Sequence, residues 1–328
     1  MTADRQSLLY LSRGDVAALE LPMSEVLDVV EESFRRRGGG EAQLPPKIGV
    51  EAGGGAFAHA MPAYVPAAKA LGLKWVAVFP ANTGHGLPAT SGLIVLADPA
   101  TGLPLAVIEA GLVTALRTGA SVGVAARHLA RPDAATAAIV GCGVQGRSSL
   151  RALRAALPGL RAVRCRDVAA EAARSFVDEA AAAMPELAYE ICGSASEAVR
   201  GADVAVSAIP MAGGPPPLGA GLLAPGALAV ALDYDAAWTP AAMAECDRVV
   251  CDDTGQTLAT KAAGAHLVDI PPIDTDLGLI AAGVAPGRRS PDERIFCLNL
   301  GMATHDLLTA RLVYDRARAA GLGVELPL

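Results

Sequence analysis

The stretch AAIVGCGVQGRSSL, residues 137–150, restricts the folds open to this chain more than any other part of it. A short apolar run passes into three glycines spaced GxGxxG, and from Val144 onward no helix breaker appears for a turn and a half or more. That is the strand–turn–helix setting of a dinucleotide cradle. Gly141 allows the tight turn, Gly143 lets the backbone approach a pyrophosphate, and Gly146 lets helix and strand pack closely. The helix that opens at Val144 offers N–H groups and a partial positive charge to phosphates. Glycine makes up 35 of the 328 residues, so the spacing alone says little and its context carries the reading.

A cradle of this kind calls for a second strand ending in an acid about 20 positions on. The chain supplies AVRCRD, with Asp167 placed 21 positions after Gly146. Its carboxylate would accept from the adenosine ribose and repel a 2′-phosphate, which favours NAD over NADP; the adjacent Arg166 pulls the other way. A simple helix cap is the competing role for Asp167.

Strand candidates at 135–140, 161–166, 187–192, 203–209, 227–233 and 247–251 alternate with helix-like runs at 144–156, 168–184 and 194–202. This rhythm is that of a Rossmann-type, doubly wound parallel sheet in an α/β protein. The segment 211–225 reads as a Gly/Pro-rich loop within that domain, and 283–294 as a surface loop. Ahead of the cradle the texture differs. Segment 22–37 has an amphipathic pattern with Ser24 as a candidate cap, residues 47–110 read as a largely antiparallel sheet, and 111–130 as a helix. RIFCLNL gives a last strand. A closing helix follows at about 302–320, with Leu307, Leu308, Leu312 and Ala319 on or near one face, and by pattern it fits either domain.

A length of 328 residues suits two domains. A 52% apolar content with 19% charged residues indicates buried cores, and 4% aromatics argues against a base-stacking surface. The net charge of −7 gives no reason to bind nucleic acid, and Arg35-Arg36-Arg37 reads as the cationic last turn of a helix. Six cysteines form no CxxC pair and no zinc-type cluster, so no metal is expected. Met1-Thr-Ala-Asp-Arg lacks the form of a signal peptide and no apolar run is long enough for a bilayer, which points to a cytoplasmic protein without membrane partners.

Several residues stand out as chemistry bearers. Lys74 interrupts the apolar strand LGLKWVAVF on the face of Val76 and Val78, where a cation is either solvated or part of a site. Arg117 is a lone strong charge in TALRTGAS; buried, its planar fork would suit a carboxylate, and otherwise it lies on an exposed helix face. Asp233 and Asp235 end a strand in VALDYDAAW, as acid/base groups or as turn caps. His59 and His85 are possible donors or bases, although a lone histidine is more often neither. Ser148, Ser149 and the cysteines lack a base partner.

Taken together, MPAY, GLKWVAVFPAN, GLPATSGLIVLADPATGLPLAV, TALRTGAS, GCGVQG and the closing NLGMATHDLLTARLVYDRA resemble the ornithine cyclodeaminase/mu-crystallin family, in its order and spacing. The resemblance implies a homodimer. Its α+β substrate-binding and dimerisation domain would span 1–120, with 302–328 returning to it, and an NAD-binding Rossmann domain would span 121–301. It also implies that Lys74 is the active-site lysine, that Arg117 binds the substrate carboxylate, and that Thr118 and Gln145 lie near the cofactor. Two departures stand out. Where relatives carry a P-x-R arginine this chain has Lys47, a point charge in place of a fork. Where true ornithine cyclodeaminases carry an aspartate for the side-chain amine, an ungapped match puts Tyr234. The expected activity is NAD(H)-dependent interconversion of a small α-amino acid with its imino or keto acid. A redox-neutral cyclodeaminase and a non-catalytic dinucleotide binder are the alternatives.

Overall fold

The structure, a computed structural model, describes residues 7–211 and 214–328. The reading of the first five residues therefore lies outside the described residues, as do Ala212 and Gly213 of the loop expected at 211–225. Contacts divide the chain into two units, Met1–Arg117 with Met302–Leu328, and Thr118–Gly301.

The first unit opens with β1 (Ser7–Leu11), α1 (Arg13–Ala18) and α2 (Met23–Gly38). It continues through β2 (Ile48–Gly53), β3 (Ala56–Val65), β4 (Ala70–Val78), β5 (Thr90–Ala97) and β6 (Pro104–Glu109) into α3 (Ala110–Leu129), within which the boundary falls. Strands β2 to β6 form an antiparallel meander, in line with the reading of residues 47–110 as a largely antiparallel sheet. Two strands without such a signal complete the seven-stranded sheet: β1 pairs parallel with β6, and β15 (Val324–Pro327) pairs antiparallel with β1.

Some local details depart from expectation. Ser24 sits inside α2, whose N-cap is Pro22 with no side-chain bond, because proline with φ −60° already pre-sets the entry to a helix. The capping box lies earlier, where Ser12 and Asp15 exchange hydrogen bonds at the start of α1. Arg35, Arg36 and Arg37 do close the last turn of α2.

The second unit runs β7 (Thr136–Val140), α4 (Val144–Ala156), β8 (Ala162–Arg166), α5 (Ala170–Ala183), β9 (Ala188–Ile191), α6 (Ala195–Val199) and β10 (Val204–Ser207). It continues with β11 (Leu228–Ala231), α7 (Pro240–Ala244), β12 (Arg248–Cys251), α8 (Thr254–Ala262), β13 (Thr275–Asp276), α9 (Leu277–Ala281) and β14 (Ile295–Leu298). Its eight strands are all parallel, in the order β13-β12-β14-β11-β10-β7-β8-β9. The fully buried runs of β10, β11, β12 and β14, with β7 buried from Ala137 to Val140, are what a parallel sheet covered on both faces requires. Strand order reverses between β7 and β10, which makes the carboxyl end of β7 a topological switch point, the usual place for a ligand in such sheets.

The closing helix, α10 (Ala303–Ala320), belongs to the first unit and packs on α2 and on β3, β4 and β5. Its buried stripe is Leu307, Leu308, Ala310, Val313 and Ala317, whereas Ala319 is exposed. Among the described residues, no helix is long and apolar enough to cross a membrane.

Candidate functional site

In the first unit, register decides which side chains meet. Met61, Lys74, Ile94 and Ile108 stand opposite one another across β3 to β6, on the face that α10 covers. Lys74 is only 1% exposed there. An isolated buried ammonium costs several kcal/mol in lost solvation, so its partners decide whether the position is tenable. The partner is Asp306, in the first turn of α10 and with no exposure at all, whose Oδ2 lies 2.8 Å from Lys74 Nζ. Its other oxygen accepts from Arg117 Nε at 2.8 Å, and Arg117, on α3, is itself buried.

One carboxylate thus serves two cations. Burial holds Lys74 down, the Arg117 charge adds to that and Asp306 opposes it, so its pKa falls to about 7. Burial works against the charge of Asp306, yet Arg117 and Lys74 together keep its pKa below the ordinary carboxylate value. Arg117 spends only its Nε–H on Asp306. Its two terminal amino groups carry no partner among the described residues and remain free to grip a planar anion through paired hydrogen bonds.

Lys47 immediately precedes β2, and extending the β2/β3 register by one residue puts it opposite Met61, on the face of Lys74. His305, next to Asp306, is fully buried edge-on to Phe34, and burial with the nearby Arg117 charge drives its pKa to about 3. It stays neutral. His59 is half-buried on the inner face of β3, while His85 is exposed.

In the second unit the GxGxxG turn follows β7. Gly141 has φ +98°, and a Cβ on it would come 2.4 Å from the Ala208 carbonyl oxygen. A Cβ on Gly146 would lie 2.1 Å from the Gly141 carbonyl oxygen, so only glycine lets α4 pack this close to the turn. Gly143 differs, because a Cβ there would meet nothing within 4 Å. It is the N-cap of α4 and no side chain caps that helix end, so the first-turn N–H groups beginning at Val144 face open space. Gln145 Oε1 is buried with no hydrogen-bond partner in the structure.

Asp167 follows β8 directly. One of its oxygens accepts from Cys142 N inside the glycine turn at 2.8 Å and the other from Ala169 N at 2.9 Å, so it braces the turn and caps the next segment at once. These residues fit a dinucleotide: an open glycine, an uncapped helix N-terminus and a carboxylate fixed at the end of the second strand. Thr118 is buried on α3, one residue beyond the unit boundary.

Asp233 and Asp235 both accept hydrogen bonds within the second unit. Asp233 accepts from Ser207 Oγ at 2.9 Å and Ile209 N at 3.0 Å, and Ser207 in turn accepts from Trp238 Nε1. Burial raises its pKa to about 6 against the pull of those bonds. Asp235 accepts from Leu267 N and lies 3.2 Å from His266 Nδ1. Between them Tyr234 holds φ +56° with its ring against His266. The structure therefore brings Lys74, Arg117 and Lys47 to one unit, and Gly141, Gly143, Val144, Gln145, Gly146 and Asp167 to one turn. It binds the two strand-end aspartates into local networks.

Sequence reading passed over Asp306. An acid in the first turn of a helix is ordinarily explained by the helix dipole, and only its burial among Leu307 and Leu308 hints at more.

A doubly wound α/β unit with a glycine turn at its switch point, joined to a sheet unit with a buried Lys–Asp–Arg cluster, defines a two-unit enzyme class. The chain belongs to the ornithine cyclodeaminase/mu-crystallin family, whose profile matches residues 9–321. It is 32% identical over 329 residues to the alanine dehydrogenase of Archaeoglobus fulgidus, covering 97% of this chain and 98% of that one. The solved Thermococcus litoralis Delta(1)-pyrroline-2-carboxylate reductase, in complex with NADH and L-proline, superposes with a TM-score of 0.87 at 30% identity, covering 97% of this chain and all of that one. An archaeal alanine dehydrogenase dimer with bound NAD gives a TM-score of 0.85 at 30% identity, covering 98% of this chain and 100% of that one.

Removing the Asp233 carboxylate leaves the Ile209 N–H and the Ser207 hydroxyl without it in a buried position. We expect Asp233→Ala to lower unfolding free energy by about 2–3 kcal/mol, checked by urea denaturation.

Proposed function

We propose that the chain is an NAD(H)-dependent oxidoreductase that interconverts a small α-amino acid with its imino or keto acid. The observation that carries this is the buried Lys74–Asp306–Arg117 cluster, whose lysine has a pKa of about 7 and whose arginine keeps a free two-pronged face. The Met1–Arg117 unit with its returning C-terminal segment is the substrate and dimerisation domain, and the second unit binds the dinucleotide. When bound, the nicotinamide exchanges a hydride with the substrate α-carbon.

The chain's own residues do the rest. Arg117 holds the α-carboxylate through its terminal amino groups, helped by the Lys47 point charge, and so fixes the α-carbon. Neutral Lys74 takes a proton from the substrate ammonium or from an attacking water, and its protonated form returns one to the imine nitrogen in the reverse direction. Asp306 holds the lysine amine in place and keeps its pKa near neutrality against the effect of burial. Gly141, Gly143, Gly146 and the N–H groups from Val144 onward cradle the pyrophosphate, Gln145 and Thr118 lie beside the cofactor, and Asp167 accepts from the adenosine ribose. Asp233 and Asp235 shape the strand end where acid/base carboxylates were expected. With Tyr234 at the position matched to the amine-binding aspartate, ornithine is disfavoured and net redox chemistry is preferred to cyclodeamination.

Dimerisation has a matching surface. Ile48, Ala60, Trp75 and Leu93 stand in one cross-strand row on the sheet face opposite Lys74. Ile48, Trp75 and Leu93 are 68%, 45% and 43% exposed, a stripe that a second copy would cover.

Four outcomes are expected. Amino acids with NAD, or keto acids with ammonia and NADH, will change the nicotinamide absorbance; a flat response across alanine, proline, ornithine, lysine and their imines would overturn the reading. Oxidation by the parent protein will rise with pH through a group of about 7, because Lys74 must be neutral to accept the proton. In Asp306→Asn that limb moves to lower pH, since the charge that raises the lysine's pKa is gone; a pH profile of kcat/KM decides it. Trp75→Glu, measured by sedimentation, will shift the protein from dimer toward monomer.

A further inference from the structure

On the inner face of the sheet, beside Lys74, stands a half-buried histidine that the reaction above leaves unused. His59 stands in the row Gly49–His59–Val76–Gly92, next to the row that carries Met61 and Lys74. It is therefore the diagonal neighbour of Lys74 and, by the extended register, of Lys47, with Cα separations of roughly 7–8 Å. Long side chains converge across such a distance.

The ring is deliberately accommodated. A Cβ on the opposite residue, Gly49, would come 2.4 Å from His59 Cδ2, so glycine there lets the imidazole lie across β2. Phe57 braces it on the same strand, ring centroids 4.7 Å apart. Neither ring nitrogen has a hydrogen-bond partner among the described residues. Burial first, then the charges of Lys47 and Lys74, lowers its pKa, so the ring is neutral and presents one N–H donor at neutral pH.

The surroundings are cationic. Lys74 and Arg117 share Asp306, the one fully buried carboxylate of this unit among the described residues, and the charges of Lys47 and Lys74 both act on His59, while Glu51 on β2 is exposed at the far end of the face, opposite Phe57. An α-carboxylate on Arg117 and the Asp306 contact to Lys74 leave a positive field around His59 that a neutral aliphatic side chain would not use. A second carboxylate would.

From this arrangement we infer that His59 is a specificity-determining residue, donating its N–H to a carboxylate on the substrate side chain, and that the preferred substrates are dicarboxylic amino and imino acids. The inference rests on the amino acid oxidoreductase reading above. Lys47 contributes by charge, and the braced ring supplies direction.

The test pairs substrates of equal length. Oxaloacetate against 2-oxobutyrate, and 2-oxoglutarate against 2-oxopentanoate, each with ammonia and NADH, give kcat/KM ratios for the full-length protein. The dicarboxylic member of at least one pair is expected to lead by about 10-fold or more, mainly through KM. His59→Phe keeps the ring packing without the N–H, and is expected to lower that ratio by about 10-fold; His59→Asn keeps a donor and is expected to restore part of it. Equal or better use of the monocarboxylic members, or an unchanged ratio in His59→Phe, overturns the inference. Thermal shift with aspartate and glutamate against 2-aminobutyrate and norvaline, with NAD present, decides the case without turnover. Absent turnover defeats the oxidoreductase reading, whereas the ratio of the ligand-induced shifts and its response to His59→Phe decide the role of His59.

Discussion

Two cations on one buried carboxylate is the arrangement on which the charge balance inside the first unit depends. Asp306 has to be ionised to make Lys74 and Arg117 tenable inside the first unit, and they in turn keep it ionised. Burial first, then the charge of the second cation, Arg117, brings the lysine to about 7 against the pull of Asp306. An ammonium poised there can give or take a proton at neutral pH, and a guanidinium with only one N–H committed can still bind an anion. A lysine near neutrality and a guanidinium with an uncommitted face thus arise from the same shortage of carboxylates.

The glycine turn works by a different constraint, steric rather than electrostatic. Gly141 and Gly146 are glycine because backbone oxygens stand where a Cβ would be, whereas Gly143 is glycine beside open space. The first two build the turn and the third leaves it accessible. Asp167 joins the two tasks, since its bond to Cys142 N stiffens the turn while placing a carboxylate at the strand end.

Much of this was legible in the linear chain. All but β13 of the parallel strands in the second unit announce themselves as short runs at even spacing, and the meander β2 to β6 as apolar stretches between turns, whereas the two-residue β13 leaves no such trace. Strands β1 and β15 gave little sign, since five- and four-residue strands owe their pairing to partners remote in sequence. Lys74 and Arg117 were conspicuous as charges in apolar runs. Asp306 was not, because a first-turn acid has a ready local explanation. Asp233 and Asp235 stay open between an acid/base role and a cap in the sequence, because a strand-end aspartate looks the same whether it meets a substrate or, as here, also the backbone N–H of Ile209 or Leu267.

By itself the sequence determined the class of fold and the dinucleotide turn and marked out Lys74 and Arg117, since these follow from glycine sterics, strand periodicity and charge placed among apolar residues. Tertiary structure alone decided which acid balances those cations, which face of β4 is buried and what stands beside Lys74. Those outcomes depend on the return of α10 from the far end of the chain and on the register of β2, β3 and β4, and long-range pairing leaves no local trace in the residues that make it.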